Sequence, residues 1–537
     1  MSPLPCAQSG ATVPNVAASI GRITRLDGSS GAALYSNASA RVVESLALAA
    51  SPPFALMQRA GLAVARLGQA LAPHGRRAWI AVGPGNNGGD GLVAAAALRQ
   101  AGWHVQITTC GAGTNRPPDA LRAWQLWQDG GGGATELADV EQAELAIDAL
   151  LGLGQHRAPE GEMAACVARL NDFQRAGVPV LAVDQPTGLL GDTGQPLGHS
   201  VVVATHTLAL LTARPGLFTG DGRDLAGHIW LADLACDPSA TPPSATLSSA
   251  DDARRGLPMR QHQQHKGSFG DLWVLGGARG MGGAAHLASR AALAAGAGRV
   301  YVSELGADGQ APADPCWPEL MQRDAHAWCA PGVLERITLV CGCGGGEAVA
   351  AELPAAIARA ARLVLDADGL NAVAADPTLM RALAARRDQA LSTVLTPHPL
   401  EAARLLGCST AEVQADRLAA AQTLAHKTQA VVVLKGSGTI VASPDNVPAI
   451  NPTGNARLAT PGSGDVLAGW LGGLWSSQAA PPTASAHQTA RQAALSAVWL
   501  HGRAAEVAPG DPGLPLPAHE LIQALQRASH LTRQSAR

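Results

Sequence analysis

The sequence has few aromatic residues, very few lysines and no long apolar run. Tryptophan, tyrosine and phenylalanine together make up 3% of the 537 residues, so any core must be built mainly from alanine, valine and leucine. Lysine occurs only at Lys266, Lys427 and Lys435, whereas arginine is common. Because arginine already serves the general need for positive charge, Lys266 and Lys435, which each precede a glycine, are candidates for specific roles.

Several classes of protein are disfavoured by what is absent. No window has 18 or more uninterrupted apolar residues, and the N-terminus lacks a basic region followed by an apolar stretch. The nine cysteines are spaced irregularly, which is typical of neither a disulfide framework nor a zinc site. The 39 basic and 42 acidic residues give a net charge near −3, which provides no basic field for nucleic acid. We therefore expect a cytoplasmic protein with neither nucleic acid nor a membrane as partner.

The composition varies along the chain in a way that predicts two domains. Residues 1–31 are rich in small and polar residues without periodicity, which is typical of a mobile N-terminal extension. The stretch 237–258 is rich in Pro, Ser, Ala and Thr and predicts a linker. We therefore expect one domain over residues 32–236 and a second over residues 259–537, each long enough to bury its own core.

Short apolar runs alternate with alanine- and leucine-rich helical segments in both halves. This alternation predicts an α/β fold with mainly parallel sheets covered on both faces, and ligands bind such sheets beyond the C-terminal ends of the strands. The strands predicted in the first half are Trp79–Val82, Val105–Cys110, Leu145–Asp148, Val180–Asp184, Thr207–Leu211 and His228–Ala232. Those predicted in the second half are Leu272–Leu275, Arg299–Val302, Ile337–Cys341, Arg362–Asp366, Val394–Leu395 and Ala430–Leu434.

A glycine-rich run, Gly83–Gly91, follows the first of these strands and reads Gly-Pro-Gly-Asn-Asn-Gly-Gly-Asp-Gly. It matches GxGxxG formally, but the next strand ends in Thr108, Thr109 and Cys110, without the acidic residue that would hold a dinucleotide ribose. A nicotinamide oxidoreductase is therefore disfavoured. Backbone N–H groups at a helix start can bind phosphate, and asparagine oxygens can ligate a hard cation or a polar ligand.

Two further strands of the first half end in aspartate. Leu145–Asp148 leads into Ala-Leu-Leu-Gly-Leu-Gly, and Val180–Asp184 leads into Gln-Pro-Thr-Gly. One such carboxylate can simply cap the next turn, but two of them beside an Asn/Gly loop at one sheet edge indicate an active site. Converging carboxylates can serve acid/base chemistry or share a cation that offsets their repulsion.

These motifs and the run Leu56–Gly61 resemble the NAD(P)H-hydrate epimerase domain of the YjeF N-terminal type, over about residues 33–235. The resemblance implies a Rossmann-like, three-layer domain that interconverts the R and S epimers of hydrated NADH or NADPH. Gln58 stands where Glu is usual, and Thr187 stands where Ser is usual but keeps the hydroxyl oxygen.

The same resemblance assigns residues to roles in the first half. Asp184 would be the acid/base at the epimerising carbon. Asn87, Asp148 and Thr187 would hold a potassium ion. The residues that would contact the hydrated nucleotide are Asn86, Asn87, Gly88, Gly89, Asp90, Gly152, Leu153, Gly154, Gln155, His156, Arg157, Ala158 and Asp184.

The second half carries several motifs rich in glycine or polar residues, and each alone predicts a turn as readily as a site. They are His265–Gly270, Gly276–Ala284, Cys341–Gly346, Asp366–Asn371 and Leu395–Glu401.

Two later runs of the second half are stronger indicators of a nucleotide site. Lys435–Thr439 follows a strand, and consecutive N–H groups in such a Gly/Ser loop form an anion nest. Ala459–Asp465 opens a helix through Gly-Ser-Gly-Asp, which places Asp465 at the helix start as a base facing a ligand, although a capping role there is common. No GxxxxGK[ST] run occurs, so this is not a P-loop.

The order of these motifs resembles the ADP-dependent NAD(P)H-hydrate dehydratase domain, a ribokinase-like α/β fold, over about residues 260–530. The resemblance implies removal of water from the S form after phosphorylation of its hydroxyl, with Mg²⁺ and ADP or ATP, and with Asp465 as the base. Cys343 stands where the family has a Pro, which leaves the stiffness of its loop open. The residues implied for ADP are Lys435, Gly436, Ser437, Gly438, Thr439 and Gly464, and those implied for the hydrate are Ala284, Gly344, Gly346, His398 and Asp465.

Together the two resemblances predict a bifunctional enzyme of nicotinamide-nucleotide repair that acts on NADHX and NADPHX, and we expect a homo-oligomer. Two other interpretations stay open. The second half could be a small-molecule kinase that phosphorylates without elimination. The first half could be a scaffold or a binding module without catalysis, although its Asn/Gly loop and both aspartates are intact.

Overall fold

In the described part of the chain, helices pack against two β-sheets. The computed structural model describes residues 20–111, 116–306, 314, 316–324, 326–478 and 485–534. The strands are β1 (Ile23–Arg25), β2 (Ala32–Leu34), β3 (Arg77–Val82), β4 (His104–Thr109), β5 (Leu145–Ala149), β6 (Val180–Val183), β7 (His206–Leu210), β8 (His228–Ala232), β9 (Ala245–Leu247), β10 (Asp271–Gly276), β11 (Arg299–Glu304), β12 (Met321–Gln322), β13 (Thr338–Cys341), β14 (Arg362–Leu365), β15 (Ser392–Leu395), β16 (Val431–Leu434), β17 (Ile440–Ser443) and β18 (Asn446–Ile450).

The α-helices follow the strands in the alternation that the sequence predicts. They are α1 (Asn37–Ala49), α2 (Ala55–Leu71), α3 (Asn86–Gln100), α4 (Pro118–Asp129), α5 (Gly161–Arg175), α6 (Gly222–Leu225), α7 (Ala250–Arg255), α8 (Gly282–Ala295), α9 (Val349–Arg359), α10 (Ala367–Ala375), α11 (Pro377–Ala385), α12 (Pro399–Leu406), α13 (Thr410–Ala415), α14 (Arg417–Thr428), α15 (Ser463–Ser477), α16 (Ala486–Val507) and α17 (Ala518–Gln534).

The first sheet has the strand order β1-β8-β7-β6-β5-β3-β4, and all of its pairs are parallel except β1 with β8. Alternate side chains of β3 enter two different cores. Ile80 and Val82 pack with α2, α3 and α4, whereas Trp79 and Ala81 pack with α5 on the other face. Because a strand points successive side chains to opposite faces, this sheet is buried on both sides, as a parallel sheet requires.

Within the described residues, the second sheet has eleven strands in the order β12-β11-β10-β13-β14-β15-β16-β17-β18-β9-β2. Its strands run parallel from β12 to β16, and β17 and β18 then continue antiparallel. The loop between β16 and β17 is the predicted nucleotide loop, Lys435–Thr439, so it closes an antiparallel hairpin.

The predicted fold class is confirmed for both halves. All twelve strands predicted from apolar runs exist, with bounds shifted by at most a few residues. The strands that the apolar pattern missed are β1, β2, β9, β12, β17 and β18. Most of them are two to four residues long or lie at or near a sheet edge, so they have too few inward-facing side chains to produce a recognisable pattern.

The predicted domain boundaries need correction at two places. Residues 20–31, expected to belong to a mobile extension, include β1, which pairs antiparallel with β8. Residues 1–19 of that extension lie outside the described residues. The expected linker, 237–258, contains β9 and α7, and β9 pairs with both β18 and β2. Backbone hydrogen bonds hold these segments, and backbone pairing does not need a strongly apolar sequence.

The two halves also share a core. One cluster of buried side chains contains Leu34, Leu217 and Phe218 from the first half together with Leu365 and Leu434 from the second. Strand β2, which lies in the chain between β1 and β3 of the first sheet, therefore completes the second sheet. The halves are interleaved and do not form two bodies joined by a flexible connection.

In the described part of the chain, no helix has the combination of length and hydropathy needed to cross a bilayer.

Replacing Leu34 by alanine should destabilise the whole chain, because this side chain is fully buried where the two halves meet. We expect a loss of about 2–5 kcal/mol in the free energy of unfolding, which can be measured by chemical unfolding followed by tryptophan fluorescence. Leu46→Ala on α1 is the control, since that side chain is 53% exposed and should cost less than about 0.5 kcal/mol. Equal losses in the two variants would contradict a shared core.

Candidate functional sites

The glycine-rich run of the first half passes from β3 directly into the first turn of α3. The helix begins at Asn86, and Asn87 to Asp90 are buried at its N-terminus, where backbone N–H groups favour negative charge. Two glycines are required by close backbone contact. A Cβ on Gly83 would lie 1.8 Å from the carbonyl oxygen of Leu150, and a Cβ on Gly88 would lie 2.1 Å from that of Gly83.

Asp148 and Thr187, two of the predicted potassium ligands, are in direct contact. Thr187 donates to the Asp148 carboxylate from its Oγ1 at 2.8 Å and from its backbone N–H at 2.8 Å. Burial raises the pKa of Asp148 to about 6, and these hydrogen bonds limit the rise. Asn87, the third predicted ligand, is buried, and its side-chain nitrogen has no partner among the described residues. The oxygens of these three side chains are the donors that a hard cation takes.

Asp184 lies directly after β6 and is buried beside a residue that the sequence analysis did not select, Arg214. The guanidinium of Arg214 donates to the Asp184 carboxylate and, at 2.7 Å, to Thr212 Oγ1. Burial raises the pKa of Asp184, and the charge of Arg214 opposes that rise. Asp184 also has a left-handed backbone, with φ at 68°, which is a strained conformation for a residue other than glycine.

Asp184 and the Asn/Gly loop converge on Gly152, as the sequence predicts. A Cβ placed on Gly152 would lie 3.2 Å from Asp184 Oδ2 and 3.3 Å from Asn87 Oδ1. Asp90 is also close enough for the charge of Asp184 to contribute to the raised pKa of Asp90, after the larger effect of burial. Arg214 follows β7, the neighbour of β6. Asp184 was selected because it is a charged residue after a parallel strand, and the same reasoning could have selected Arg214.

In the segment after β5, two of the predicted ligand residues face solvent, and a third is buried in hydrogen bonds within the protein. His156 and Arg157 are exposed, and His156 Nδ1 lies 2.9 Å from the carbonyl oxygen of Gly154. The amide of Gln155 is buried. Its nitrogen donates to the carbonyl oxygens of Pro186 and Leu189, and its oxygen accepts from the N–H of Gly188, so it holds the turn after Asp184. The predicted ligand role of Gln155 therefore needs correction for its side chain, because these three bonds occupy the amide.

The second half gathers its charged groups around Lys435. The ammonium group lies 2.7 Å from Asp366 Oδ1 and 3.9 Å from Glu401 Oε2, and Asp366 also accepts a hydrogen bond from Thr396 at 2.8 Å. Burial alone would lower the pKa of Lys435, but the carboxylates of Asp366 and Glu401 outweigh it and raise that pKa. Burial raises the pKa of Glu401 to about 7.

Asp465 lies in the first turn of α15, next to this cluster. Burial raises its pKa to about 6, the charge of Asp366 adds to the rise, and a hydrogen bond with the Cys343 thiol opposes it. The Cys343 sulfur and one carboxylate oxygen each from Asp366 and Asp465 lie within 4.8 Å of one another. Such a group could hold a metal ion, but the ammonium of Lys435 already neutralises Asp366. The arrangement is better suited to proton transfer beside an anion.

The structure brings the predicted nucleotide residues together. A Cβ on Gly464, at the N-terminus of α15, would lie 3.3 Å from Lys435 Nζ, so the loop Lys435–Thr439 meets this helix start. Gly436 and Gly438 have φ values of 134° and 63°, which favour glycine. Gly438 is buried, and the carbonyl groups of Ser437 and Gly438 accept hydrogen bonds from the first half.

The predicted hydrate residues of the second half lie on neighbouring loops. A Cβ on Gly344 would lie 2.9 Å from the Cβ of Ala284, and Gly346 N donates to Asp368 Oδ2 at 2.8 Å. The imidazole of His398 caps α12, since its Nδ1 accepts from the N–H groups of Leu400 and Glu401. Nδ1 therefore has its hydrogen-bond partners within the helix cap, and the side chain of His398 is about half exposed.

A cavity of about 770 Å³ between the halves is lined by none of the predicted site residues. Arginine side chains contribute to its lining, and two of them are paired with nearby acids, Arg254 with Asp251 and Arg503 with Glu506. The cavity is therefore separate from both predicted sites.

Comparisons with known proteins match both halves. The family model described as the YjeF-related protein N-terminus matches residues 53–216, and that described as NAD(P)H-hydrate dehydratase matches residues 272–527. A bifunctional NAD(P)H-hydrate repair enzyme of Escherichia coli K12 is 34% identical over 482 residues, covering 88% of this chain and 89% of that protein. The chain belongs to the family of bifunctional NAD(P)H-hydrate repair enzymes.

Another member of the bifunctional family, from Gloeobacter violaceus, is 38% identical and covers 85% of this chain and 90% of its own length. The crystal structure of an ADP/ATP-dependent NAD(P)H-hydrate dehydratase from Bacillus subtilis, co-crystallised with ATP and Mg²⁺, is 30% identical. The match covers 53% of this chain and 97% of the Bacillus subtilis chain, with a TM-score of 0.41. As a member of the bifunctional family, this chain has an epimerase domain and a dehydratase domain.

Replacing Gly83 by alanine should distort the first site, because the new Cβ would overlap the carbonyl oxygen of Leu150. We expect a loss of about 3 kcal/mol in the free energy of unfolding, measured by chemical unfolding. Gly85→Ala is the matched control, since a Cβ there would lie within 4 Å of no described residue beyond its chain neighbours and should cost less than about 1 kcal/mol as a weaker N-cap. A control that is destabilised as much as Gly83→Ala would contradict the steric explanation.

Proposed function

We propose that the second half dehydrates the S form of hydrated NADH or NADPH with ADP, and that the first half interconverts the R and S forms. The observation that carries the dehydratase proposal is the meeting of Lys435, the N-terminus of α15 and Asp465. An ammonium group and a helix N-terminus favour bound phosphate, and a carboxylate with a pKa near neutrality is suited to act as the adjacent base.

In the proposed dehydration, Asp465 takes the proton of the substrate hydroxyl while that oxygen attacks the terminal phosphorus of the nucleotide. The bond from that phosphorus to the remaining nucleotide breaks, so ADP becomes AMP. Phosphate then leaves with the electrons of its C–O bond, and loss of a proton from the neighbouring carbon restores the ring double bond. Phosphorylation is needed because phosphate is a far better leaving group than hydroxide.

The loop Lys435–Thr439 and Gly464 would hold the nucleotide in this proposal. Lys435 would contact the phosphates, and its charge would limit repulsion between Asp465 and the incoming anion. Mg²⁺ bound with the nucleotide would offset phosphate charge during the transfer.

In the proposed epimerisation, protonated Asp184 would give its proton to the hydroxyl of the hydrated ring, and the C–O bond would break as water leaves and the ring nitrogen supplies the electron pair of a C=N bond. Water would then add to the opposite face of the ring, and its proton would return to Asp184. Burial favours its protonated form and the charge of Arg214 favours its ionised form, so the same group can serve as an acid and as a base. Asn87, Asp148 and Thr187 would hold K⁺, whose charge would offset the buried carboxylates nearby. The pairing of Asp148 with the hydroxyl of Thr187 supports this assignment.

The direct experiment uses a mixture of R and S hydrated NADH with K⁺, Mg²⁺ and ADP, and follows absorbance of the reduced nicotinamide. Recovery of all the hydrate as NADH supports both activities. Recovery of only the S share, with R persisting beyond its spontaneous epimerisation, would contradict the epimerase proposal. A stable phosphorylated product without NADH would instead favour the small-molecule kinase.

Two isosteric substitutions should separate the two activities. Asp465→Asn removes the base, and we expect dehydration to fall by about 10²–10⁴-fold while epimerisation continues. Asp184→Asn should have the reverse effect and leave the S form a substrate. Each variant is the control for the other, with rates measured on separated R and S hydrates. Loss of both activities in either variant would contradict the assignment of separate roles.

The dehydratase should lose activity below about pH 6, where Asp465 becomes protonated and can no longer accept a proton. We expect kcat/KM for the S hydrate to fall tenfold for each pH unit below that value, measured by initial rates from pH 5 to 8. Cys343→Ala removes a hydrogen bond that lowers the pKa of Asp465, so the acidic limb should move to higher pH. An acidic limb that does not move in that variant would show that another group titrates.

A further inference from the structure

The loop Lys435–Thr439 of the second half rests on a short stretch of the first half, Arg214–Gly220, which we call the bridging segment. Thr219 Oγ1 lies 3.1 Å from Ser437 O and 3.3 Å from Gly438 O. Gly220 N donates to Ser437 O at 3.2 Å, and Ser437 Oγ donates back to Gly220 O at 2.9 Å. A single hydroxyl of the first half is therefore shared between two carbonyl groups of the predicted nucleotide loop.

A buried arginine also forms hydrogen bonds with the start of this loop. Arg417 is 2% exposed, and its guanidinium donates to the carbonyl oxygens of Leu434 and Lys435 at 3.4 and 3.2 Å. Its Nε donates to Thr219 Oγ1 at 3.1 Å, so the threonine hydroxyl also fixes the direction of the guanidinium. Burial lowers the pKa of Arg417 to about 10, which still leaves it charged at neutral pH. A fixed positive charge thus lies directly behind a loop expected to bind phosphate.

The contact leaves no room for the loop to shift toward the first half. A Cβ on Gly438 would lie 1.9 Å from the carbonyl oxygen of Phe218, and a Cβ on Gly436 would lie 2.9 Å from the guanidinium of Arg417. On its other side, the loop faces the N-terminus of α15 through Lys435 and Gly464. The bridging segment therefore sets the distance between the loop and the helix start that would together hold the nucleotide.

We propose that Thr219, a residue of the epimerase half, is a positioning residue for adenine-nucleotide binding in the dehydratase half. Its hydroxyl holds the loop carbonyls and the Arg417 guanidinium in the geometry that presents the loop N–H groups to phosphate. The inference rests on the proposed function only in taking Lys435–Thr439 as the nucleotide loop. If Thr219 only stabilised the contact between the two halves, its replacement would lower the free energy of unfolding without changing the affinity for the nucleotide.

Thr219→Val tests this proposal, since it removes the hydroxyl and keeps the shape of the side chain. We expect the KM for ADP in dehydration, and the Kd for ADP alone measured by calorimetry, to rise by about three- to thirty-fold. The kcat at saturating ADP should stay within about two-fold. Thr219→Ser, which restores the hydroxyl, should return both constants to near the wild-type values.

Thr241→Val is the matched control, because Thr241 is a buried threonine of the stretch 237–258 whose hydroxyl has no partner among the described residues. It should leave the Kd for ADP unchanged. If Thr219→Val does not fold, as judged by its thermal unfolding, Thr219→Ala removes the same hydroxyl without adding a methyl group. An unchanged Kd in the variant that removes the hydroxyl, Thr219→Val or Thr219→Ala, or an equal rise in Thr241→Val, would overturn the proposal.

The measurement of ADP binding keeps this inference distinct from the proposed function. A wild-type protein that binds ADP but releases no NADH from the hydrate would refute the dehydratase proposal, and the Kd of Thr219→Val would still decide the positioning role. A wild-type protein that binds neither ADP nor ATP would overturn the positioning role as well, since the loop would then hold no nucleotide.

Discussion

Burial of carboxylates at the ends of parallel strands is the constraint around which both halves are built. Asp148, Asp184 and Asp366 are all buried, and an ionised carboxylate away from water is very costly unless it is paired or hydrogen-bonded. Asp184 is paired with Arg214, and Asp366 is paired with Lys435. Among the described residues, Asp148 has only neutral hydrogen-bond donors, and burial raises its pKa to about 6. A bound monovalent cation would supply the counter-charge that this carboxylate lacks.

The interleaving of the halves gives these sites a fixed relation to each other. Strand β2 belongs to the second sheet although β1 and β3, its neighbours in the chain, belong to the first, and β9 joins it to β18. Arg223 reaches across to the carbonyl oxygens of Thr453 and Gly454 at 3.3 and 2.9 Å. Two domains joined by a free linker are expected to move relative to one another, but a shared sheet and core oppose such motion.

Sequence reasoning predicted the central strands and missed the interleaving, for a physical reason. A parallel strand buried on both faces is a continuous apolar run, so Val180–Val183 and Val431–Leu434 are evident in the sequence. Strand β9 is three residues of Ala, Thr and Leu within a polar stretch, and its pairing depends on distant partners. Short strands of this kind are stabilised by backbone bonds that leave little trace in side-chain patterns.

The candidate sites show the same division between local and long-range information. Asp184, Asp465 and Lys435 were found because each follows an apolar strand or opens a helix in a glycine-rich context. Arg214 was missed although it also follows a parallel strand, and its pairing with Asp184 is a contact between neighbouring strands that the sequence does not reveal. Thr219 could not be found at all, since its partners lie 218 and 219 residues away in the other half. A hydroxyl has no pattern in sequence that reveals such a contact.

The loop that carries Cys343 shows how packing can replace a local stiffening residue. Its glycines at 342, 344 and 346 all have positive φ, so the backbone is specified at every second position even without proline. The carbonyl oxygen of Cys343 accepts a bond from Gly277 N at 3.0 Å, and its side chain is fully buried. Packing and hydrogen bonds therefore hold the loop that a proline would otherwise stiffen. Because proline has no polar side chain, only the cysteine can also donate to Asp465, which makes the acidity of that carboxylate depend on this position.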